Sequence, residues 1–356
     1  MRRAVLPALL SLCVTGVHCG RQAVMVPHPD KAKLLVCLTA SGRERAIAST
    51  RTWRRRRERI LADMQLVMGP LPDASKRVPL DVLVLEEAEL AKVTRKKVTY
   101  AAEKDDRVPA YLFVPKDLKG KAPAMLCLHQ TTGIGKGEPA GLGGDPNLHY
   151  ALELAERGYV TLAPDYPNFG DYKLDAYRRG YASATMKGIW NHMRAVDLLE
   201  SWPGVDPDRI GCIGHSLGGH NTLFLAAFDE RIKVAVTSCG FNSFPKYHGG
   251  NLGGWSHGGY MPRIASVYGR DARKIPFDFT EVLAALAPRP CFVSAPTKDD
   301  NFELSGVDDC VRAALPVYEL FGARDRLVAI HPDCGHGFPP AARQAAYTFI
   351  GRALGK

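Results

Sequence analysis

Residues 209–219 read Arg-Ile-Gly-Cys-Ile-Gly-His-Ser-Leu-Gly-Gly, and this stretch decides the fold. The apolar run Arg209–Ile213 predicts a strand, and a helix is predicted from Gly219 onwards. A serine between two glycines at such a turn is forced into a strained backbone conformation, which glycine neighbours make accessible without side-chain clashes. The pattern therefore predicts that Ser216 is a nucleophile held out at the carboxyl end of a sheet.

The segment before this stretch predicts an amphipathic helix over Asn191–Trp202. Its apolar side chains recur every three residues, at Met193, Val196, Leu199 and Trp202. Pro203 and Gly204 then break the helix before the strand begins. This order of helix, strand and helix favours the nucleophile interpretation over an ordinary serine turn.

A carboxylate partner is expected later in the chain, because triads built on this turn run in the order nucleophile, acid, histidine. The segment Pro288–Pro296 contains a short apolar run that predicts a buried strand, and it leads into Asp299. Asp299 is the predicted acid. Asp300 is the alternative, because the sequence does not say which carboxylate faces the imidazole and which caps the next helix.

The histidine partner follows the predicted strand Leu327–Ile330. His336 lies between two glycines on a loop rich in turn residues, as a catalytic imidazole requires, whereas His331 at the strand end is expected to be structural. In this arrangement His336 takes the proton of Ser216, and Asp299 fixes the tautomer of the imidazole.

Two N–H groups are expected to hold the negative charge that develops on the attacked carbonyl oxygen. The first is the backbone N–H of Leu217, because unpaired N–H groups at the start of a helix favour negative charge. The second is expected on the loop after the predicted strand Ala124–Leu128, from Gln130 or Thr131. The sequence does not choose between these two residues.

Together these residues resemble the α/β-hydrolases of the dienelactone hydrolase and acetylxylan-esterase-like family, with a more distant likeness to prolyl oligopeptidase catalytic domains. The likeness spans about residues 53–353 and includes Met68–Pro72, Arg107–Pro115 and the loop at His129. It implies hydrolysis of a carboxylic ester, often on an acetylated carbohydrate, without a metal or organic cofactor. Dienelactone hydrolases use a cysteine nucleophile, and Ser216 stands in its place here.

The remaining pattern predicts an α/β-hydrolase fold, with a mostly parallel central sheet flanked by helices. Further strands are predicted at Leu80–Leu85, Lys97–Ala102, Ala110–Val114, Tyr159–Ala163 and Ile232–Ser238. We expect the catalytic domain at residues 81–356, after an N-terminal extension at residues 21–80 that contains a basic helix.

The segment 241–279 lies between two predicted strands and is too long for a simple connection. We predict that it is an inserted, lid-like segment that covers the substrate. Trp255 and Tyr260 would then offer flat faces to a sugar or acyl group. The alternative is that these aromatic residues only pin a loop to the domain surface.

The basic helix accounts for much of the net charge of +10. Six arginines crowd residues 51–59, namely Arg51, Arg54, Arg55, Arg56, Arg57 and Arg59. They fall in a helix predicted over Ala46–Met68, and its apolar stripe predicts that the arginines form the solvated face. No aromatic stacking platform or recognised binding module accompanies the charge, so nucleic acid is not an expected partner.

Residues 1–20 are predicted to be a signal peptide, because Arg2 and Arg3 give a basic start and Ala4–Val17 is mostly apolar. Outside this leader, no apolar run approaches the roughly 20 residues of a membrane span. We expect a secreted or periplasmic protein without stable membrane insertion. The sequence leaves its oligomeric state open.

Nine cysteines are present. Those in predicted core strands, Cys127, Cys212 and Cys291, are expected to be free and buried. For Cys239, Cys310 and Cys334 the spacing sets no disulfide partner. The chain lacks the paired Cys and His spacings of zinc sites, so a structural zinc site is not expected.

These features predict a serine esterase that forms an acyl-enzyme intermediate, with an acetylated carbohydrate or another small-molecule ester as substrate. A prolyl-oligopeptidase-like serine peptidase is the alternative enzyme. A third hypothesis is a hydrolase fold that binds carbohydrate without catalysis. The presence of Ser216, Asp299 and His336 at three predicted strand ends argues against the third hypothesis.

Overall fold

The computed structural model describes residues 26–356 and opens with a small antiparallel sheet and a long helix. The sheet consists of β1 (Val26–Pro27), β2 (Val36–Leu38) and β3 (Glu44–Ala46). Helix α1 (Thr50–Met68) follows, and the side chain of Ser49 caps it by accepting a hydrogen bond from the N–H of Thr52. The helix therefore begins later than the predicted Ala46, because Ser49 is extended and satisfies an orphan N–H of the first turn.

A nine-stranded sheet fills the centre of the molecule. Its strands are β4 (Leu83–Glu89), β5 (Val93–Glu103), β6 (Asp106–Pro115), β7 (Ala122–Leu128), β8 (Val160–Pro164), β9 (Val205–His215), β10 (Ile232–Ser238), β11 (Cys291–Ser294) and β12 (Leu327–Ile330). Their order in space is β12, β11, β10, β9, β7, β8, β6, β5, β4. Neighbours from β12 to β8 pair in parallel, whereas β6, β5 and β4 form an antiparallel edge. The predicted mostly parallel sheet is confirmed.

Helices cover both faces of this sheet. They are α2 (Tyr150–Glu156), α3 (Ala184–Ser201), α4 (Leu217–Phe228), α5 (Arg263–Ser266), α6 (Phe279–Ala284), α7 (Leu304–Leu320) and α8 (Pro340–Leu354). Strand side chains alternate between two hydrophobic cores. In β7, for example, Leu126 packs into the core beneath α1, α3 and α4, and Cys127 packs into the core beneath α2 and α8. A sheet buried on both faces explains why its parallel strands are continuous apolar runs.

Several element boundaries differ from the prediction, and the starts of β4 and α3 do so for identifiable reasons. Strand β4 begins at Leu83 instead of Leu80, because Asp81 has φ +42° and interrupts the extended chain. Helix α3 begins at Ala184 instead of Asn191. Its first turns contain polar residues that are nevertheless buried, such as Lys187, whose Nζ lies 2.9 Å from an oxygen of Glu103.

The arginines of helix α1 do not all face solvent. The predicted solvated face is wrong for two of them. Arg56 is buried and pairs with the equally buried Glu281 of α6. Arg57 donates hydrogen bonds to the carbonyls of Ala227, at 2.7 Å, and Ala285, at 2.8 Å. These two side chains instead attach α1 to α4 and to the end of α6.

Within residues 26–356, no helix has the length and apolar character that a membrane span requires. The predicted leader, with Cys13 and Cys19, lies outside these residues. Cys127, Cys212 and Cys291 are buried and free, as predicted. Cys239, Cys310 and Cys334 are also free.

Candidate active site

Ser216 occupies a sharp turn between β9 and α4. Its backbone has φ +52° and ψ −116°, a conformation that side-chain-bearing residues rarely adopt. The turn is fixed in place by a hydrogen bond of 2.8 Å from the N–H of Ser216 to the carbonyl of Ser238, at the end of β10. Ser216 is partly exposed while its neighbours in β9 and α4 are buried. The strained serine predicted from the glycine pattern is present at the carboxyl end of the sheet.

Two glycines make this turn possible because the backbone segments around them touch. A Cβ atom on Gly218 would lie 1.9 Å from the carbonyl oxygen of Leu128, at the end of β7. A Cβ atom on Gly214 would lie 2.2 Å from the carbonyl oxygen of Gly218. Neither position has room for any side chain, so α4 can start directly against the ends of β7 and β9.

Asp299 and His336 are brought together by the loops that follow β11 and β12. Nδ1 of His336 lies 2.9 Å from Oδ1 of Asp299. The same oxygen accepts hydrogen bonds from the N–H groups of Asn301, at 2.9 Å, and Phe302, at 3.1 Å. The Asp299 side chain is only 1% exposed, whereas Asp300 is exposed to solvent. Of the two predicted acids, Asp299 is therefore the one whose carboxylate contacts the imidazole.

The charges in this pair are compatible with proton transfer. Burial raises the pKa of Asp299, but the hydrogen bond and charge of His336 and the two N–H donors outweigh it, and the net pKa is lowered. The ring of His215 packs against that of His336, with centroids 5.0 Å apart. Burial lowers the pKa of His215 to about 3, so this neighbour stays neutral near pH 7. His215 thus adds no second positive charge beside an imidazolium.

The acid and histidine loops are also joined through their backbones. The N–H of Thr297 donates to the carbonyl of Pro332, at 3.0 Å, and the N–H of Lys298 donates to that of Cys334, at 3.1 Å. His331, expected to be structural, places Nδ1 3.1 Å from the carbonyl of Ala295. The loops therefore present Asp299 and His336 as one unit.

Within the described chain, Ser216 Oγ makes no hydrogen bond to His336. The Asp299 contact uses Nδ1 and leaves Nε2 of the imidazole as the nitrogen available to the serine. Hydrogen bonds between a nucleophile and its base are often long before substrate binds and tighten in the reacting complex. The catalytic roles of the three residues accordingly remain a proposal.

The backbone N–H groups of Leu217 and Thr131 are among the donors predicted for the oxyanion. The N–H of Leu217 has no acceptor among residues 26–356 and lies in the first turn of α4. In the loop after β7, the carbonyl of Gln130 lies 2.5 Å from Nδ1 of the buried His129. Because a trans peptide points its N–H opposite to its C=O, this contact turns the N–H of Thr131 away from His129. The Gln130 side chain is held separately by Glu138, at 3.1 Å.

The insert at residues 241–279 is packed more deeply than a lid. Trp255 is 2% exposed, and its ring contacts Phe244, Tyr247 and Phe279. It offers no open face, contrary to the sequence expectation, because its neighbours cover both sides of the ring. Tyr260 is partly exposed and lies beside Thr131, and burial raises its pKa. Tyr260 remains a predicted substrate contact.

One residue beside the pair was not predicted to take part. Cys239 follows β10, has φ +47°, and places Sγ within 4.8 Å of the ligand atoms of Asp299 and His336. The sequence contains only a weak signal for it, namely its position directly after a predicted parallel strand.

The chain is similar to known hydrolases in sequence and in fold. Residues 73–246 match the model of the acetyl xylan esterase (AXE1) family. The putative hydrolase YtaP of Bacillus subtilis (strain 168) is 29% identical over 303 residues, which are 81% of this chain and 96% of that protein. A glucuronoyl esterase from Solibacter usitatus has a similar fold, with a TM-score of 0.69 at 19% identity over 92% of this chain and 98% of that one.

The chain is thus similar in sequence to the acetyl xylan esterases and has the α/β-hydrolase fold. Acetyl xylan esterase 1 from Thermoanaerobacterium sp. JW/SL YS485 has the same fold, with a TM-score of 0.55 at 15% identity over 83% of this chain and 93% of that one. The family match and the esterase relatives together identify the protein as a hydrolase. The predicted resemblance and the predicted enzyme class are confirmed.

Proposed function

We propose that this acetyl xylan esterase-like hydrolase removes an acyl group, acetyl first among them, from an esterified carbohydrate by a serine mechanism. The observation that carries the proposal is the 2.9 Å contact between Asp299 and His336 beside the strained Ser216. A partly exposed serine after β9, a buried carboxylate after β11 and an imidazole after β12 form the constellation of an acyl-transfer site.

In the proposed reaction, Ser216 Oγ attacks the ester carbonyl while Nε2 of His336 takes its proton. Asp299 holds Nδ1–H and stabilises the imidazolium. The N–H groups of Leu217 and Thr131 hold the oxyanion. His336 then returns the proton to the departing sugar oxygen, and water, activated by the same imidazole, releases the acid from Ser216.

The substrate class rests on the family match and on the named relatives. The family model is that of acetyl xylan esterases, and several structural relatives are glucuronoyl esterases, in which the sugar supplies the acid part of the ester. An uncharacterized peptidase of Bacillus subtilis is also related, but the match covers 23% of that protein. We therefore favour a carbohydrate ester over a peptide.

The test compares four substrates with the wild type and Ser216→Ala. They are 4-nitrophenyl acetate, an acetylated xylo-oligosaccharide, a methyl ester of glucuronic acid and a chromogenic prolyl peptide. We expect release of acetate from the oligosaccharide, with kcat/KM reduced at least about 10³-fold in the variant. The exposed Ser201→Ala is the matched control and should retain full activity.

Other outcomes would change the proposal in defined ways. Hydrolysis of the glucuronate ester alone would indicate that the sugar supplies the acid part of the natural ester substrate. Cleavage of the peptide alone would establish the peptidase alternative. Binding of the oligosaccharide without turnover of any substrate would indicate a carbohydrate-binding role.

We also propose export, on the basis of the basic start and apolar run of residues 1–20. Expression of the full chain with its native leader in a bacterial host should yield mature protein outside the cytoplasm. N-terminal sequencing of that protein should show cleavage near residue 20, and an intact Met1 in the cytoplasmic fraction would contradict export.

A further inference from the structure

The two oxygens of Asp299 are held very differently. Oδ1 contacts His336 Nδ1 and accepts two backbone N–H groups. Oδ2 is buried and has no hydrogen-bond partner of ordinary geometry in the part of the chain that the structure describes. A buried carboxylate oxygen without a donor is costly, so a neighbouring group that can donate to it is functionally significant.

The thiol of Cys239 is such a group. Its Sγ lies within 4.8 Å of a carboxylate oxygen of Asp299 and of a ring nitrogen of His336. It also lies 3.4 Å from the carbonyl of Gly337, directly after the histidine. Rotation about the Cβ–Sγ bond can therefore aim the single thiol proton at either the acid or the histidine loop.

The backbone at Cys239 is arranged to hold this position. The residue has φ +47°, a region that favours glycine, and its N–H donates to the carbonyl of Ser294, at the end of β11, at 2.9 Å. A residue with a side chain in strained backbone next to a catalytic pair is a recurring feature of functional sites. Cys239 thereby connects the end of β10 to the loops after β11 and β12.

The environment keeps the thiol protonated. Burial, and then the charge of Asp299, raise the pKa of Cys239 far above its usual value. The titratable groups that face it are Asp299, His336 and Cys334. A neutral thiol is a hydrogen-bond donor and a poor nucleophile, so Cys239 does not compete with Ser216.

We propose that Cys239 is a positioning residue, whose single S–H group alternates between the free oxygen of Asp299 and the carbonyl of Gly337 on the histidine loop. This inference rests on the proposed roles of Ser216, Asp299 and His336. It adds a fourth residue, at the end of β10, that sets the orientation and charge distribution of the acid without touching the substrate.

The test uses Cys239→Ala, which removes the donor, and Cys239→Ser, which keeps one. Cys291→Ala is the control, because Cys291 is an equally buried free thiol of β11. On 4-nitrophenyl acetate, Cys239→Ala should lower kcat about tenfold with KM nearly unchanged, and Cys239→Ser should keep at least about a third of the wild-type kcat. Cys291→Ala should match the wild type. Thermal melts of all variants establish that each is folded.

The pH profile provides a second readout that a packing defect would not move. The S–H hydrogen bond offsets part of the negative charge on Asp299. Without it, the carboxylate stabilises the protonated imidazole more strongly. The acidic limb of the kcat/KM profile should therefore move to higher pH in Cys239→Ala, by about 0.5 unit, and stay in place in Cys239→Ser.

Two results would overturn the inference. One is a Cys239→Ala profile and kcat equal to those of Cys291→Ala. The other is an equal loss in the alanine and serine variants, which would assign Cys239 to packing alone. Ser216→Ala is run in parallel, because activity that survives that substitution would refute the proposed mechanism itself, independently of Cys239.

Discussion

The serine turn at residues 214–218 leads into helix α4, and the insert at residues 241–279 packs against the same helix. Different interactions hold the two regions in place. The turn is set by backbone contacts so close that Gly218 has no room for a Cβ atom. The insert is held by side chains, through the packing of Trp255 and through a cap at its end. There Asp278 accepts hydrogen bonds from the N–H groups of Phe244 and Phe279, at 2.9 and 2.7 Å.

The difference has a consequence for what each region tolerates. Interdigitated side chains can repack after a substitution, at a cost in stability. Backbone atoms in van der Waals contact cannot, because no rotamer change relieves the clash. Substitutions in the turn should therefore lower both stability and activity, and those in the proposed triad mainly activity, whereas substitutions that release the insert should affect mainly stability.

The largest effect is expected at Asp299, the proposed acid of the triad. Asp299→Asn keeps the size of the side chain but no longer stabilises the imidazolium or fixes its tautomer, so kcat should fall about 10³–10⁴-fold. Steady-state kinetics on 4-nitrophenyl acetate give the value. Asp300→Asn, next to it and exposed, is the control and should behave as the wild type. Equal losses in the two variants would remove Asp299 from its proposed role.

The second effect tests the turn itself. In Gly218→Ala the new methyl group would lie 1.9 Å from the carbonyl oxygen of Leu128, so α4 or β7 must shift. The N–H of Leu217 moves with α4, and we expect a loss of about 10²–10³-fold in kcat. Gly137→Ala, whose added Cβ would meet only ordinary contacts at 3.7 Å or more, should keep its activity. A fully active Gly218→Ala protein would show that the turn is more adaptable than its contacts indicate.

The third effect tests how helix α6, which begins at the end of the insert, is tied to α1. Glu281 is at 1% exposure, its side chain accepts the N–H of Asp278, and its charge is balanced by Arg56. Arg56→Met leaves this carboxylate unpaired, and the free energy of unfolding should fall by about 3–5 kcal/mol near pH 8. The double variant Arg56→Met with Glu281→Leu should recover most of the loss. Urea denaturation followed by circular dichroism measures both.

The loss of stability in Arg56→Met is expected to depend on pH. Burial raises the pKa of Glu281 to about 7 from its ordinary value of 4.5. A group with a raised folded-state pKa contributes stability that is present below its unfolded pKa and is lost as pH rises through the folded pKa. Removal of Arg56 should therefore cost less stability at pH 5 than at pH 8. A loss that grows towards low pH would contradict this assignment.

The smallest effect is expected at Arg55, the residue before Arg56. Arg55 is exposed on the same helix, without a salt bridge in the described residues, so Arg55→Gln should change the free energy of unfolding by less than about 0.5 kcal/mol. A loss comparable to that of Arg56→Met, in the same urea titration, would mean that the whole arginine run is structural.

The regions that sequence reasoning predicted well are those fixed by neighbours in the chain. Strands Ile232–Ser238 and Leu327–Ile330 were predicted with the bounds that the structure has. Asp299 and His336 could be predicted because they lie on the loops that follow apolar strands, and parallel strands bring their carboxyl ends to one edge of the sheet. Their prediction requires only the local periodicity of apolar residues and the order of nucleophile, acid and histidine along the chain.

The residues that were misjudged depend on partners far along the chain. Arg56 has the same helical spacing as the buried Trp53 and Ile60, which is a sequence signal for burial, but its partner Glu281 is 225 positions away. Trp255 lies in a segment without periodicity, so nothing local indicates that its ring is covered. The role proposed for Cys239 depends on contacts between the loops after β10, β11 and β12, which only the folded chain brings together. In each case the deciding contact is tertiary.

The central claim is that Ser216 is the nucleophile of an acyl-transfer site. A fluorophosphonate probe reacts covalently with a serine that an adjacent base activates. After incubation with the probe and proteolysis, mass spectrometry should find one adduct, on the peptide that contains Ser216, and none in His336→Ala. An adduct on another residue, or no adduct on a folded protein that still hydrolyses 4-nitrophenyl acetate, would contradict the account.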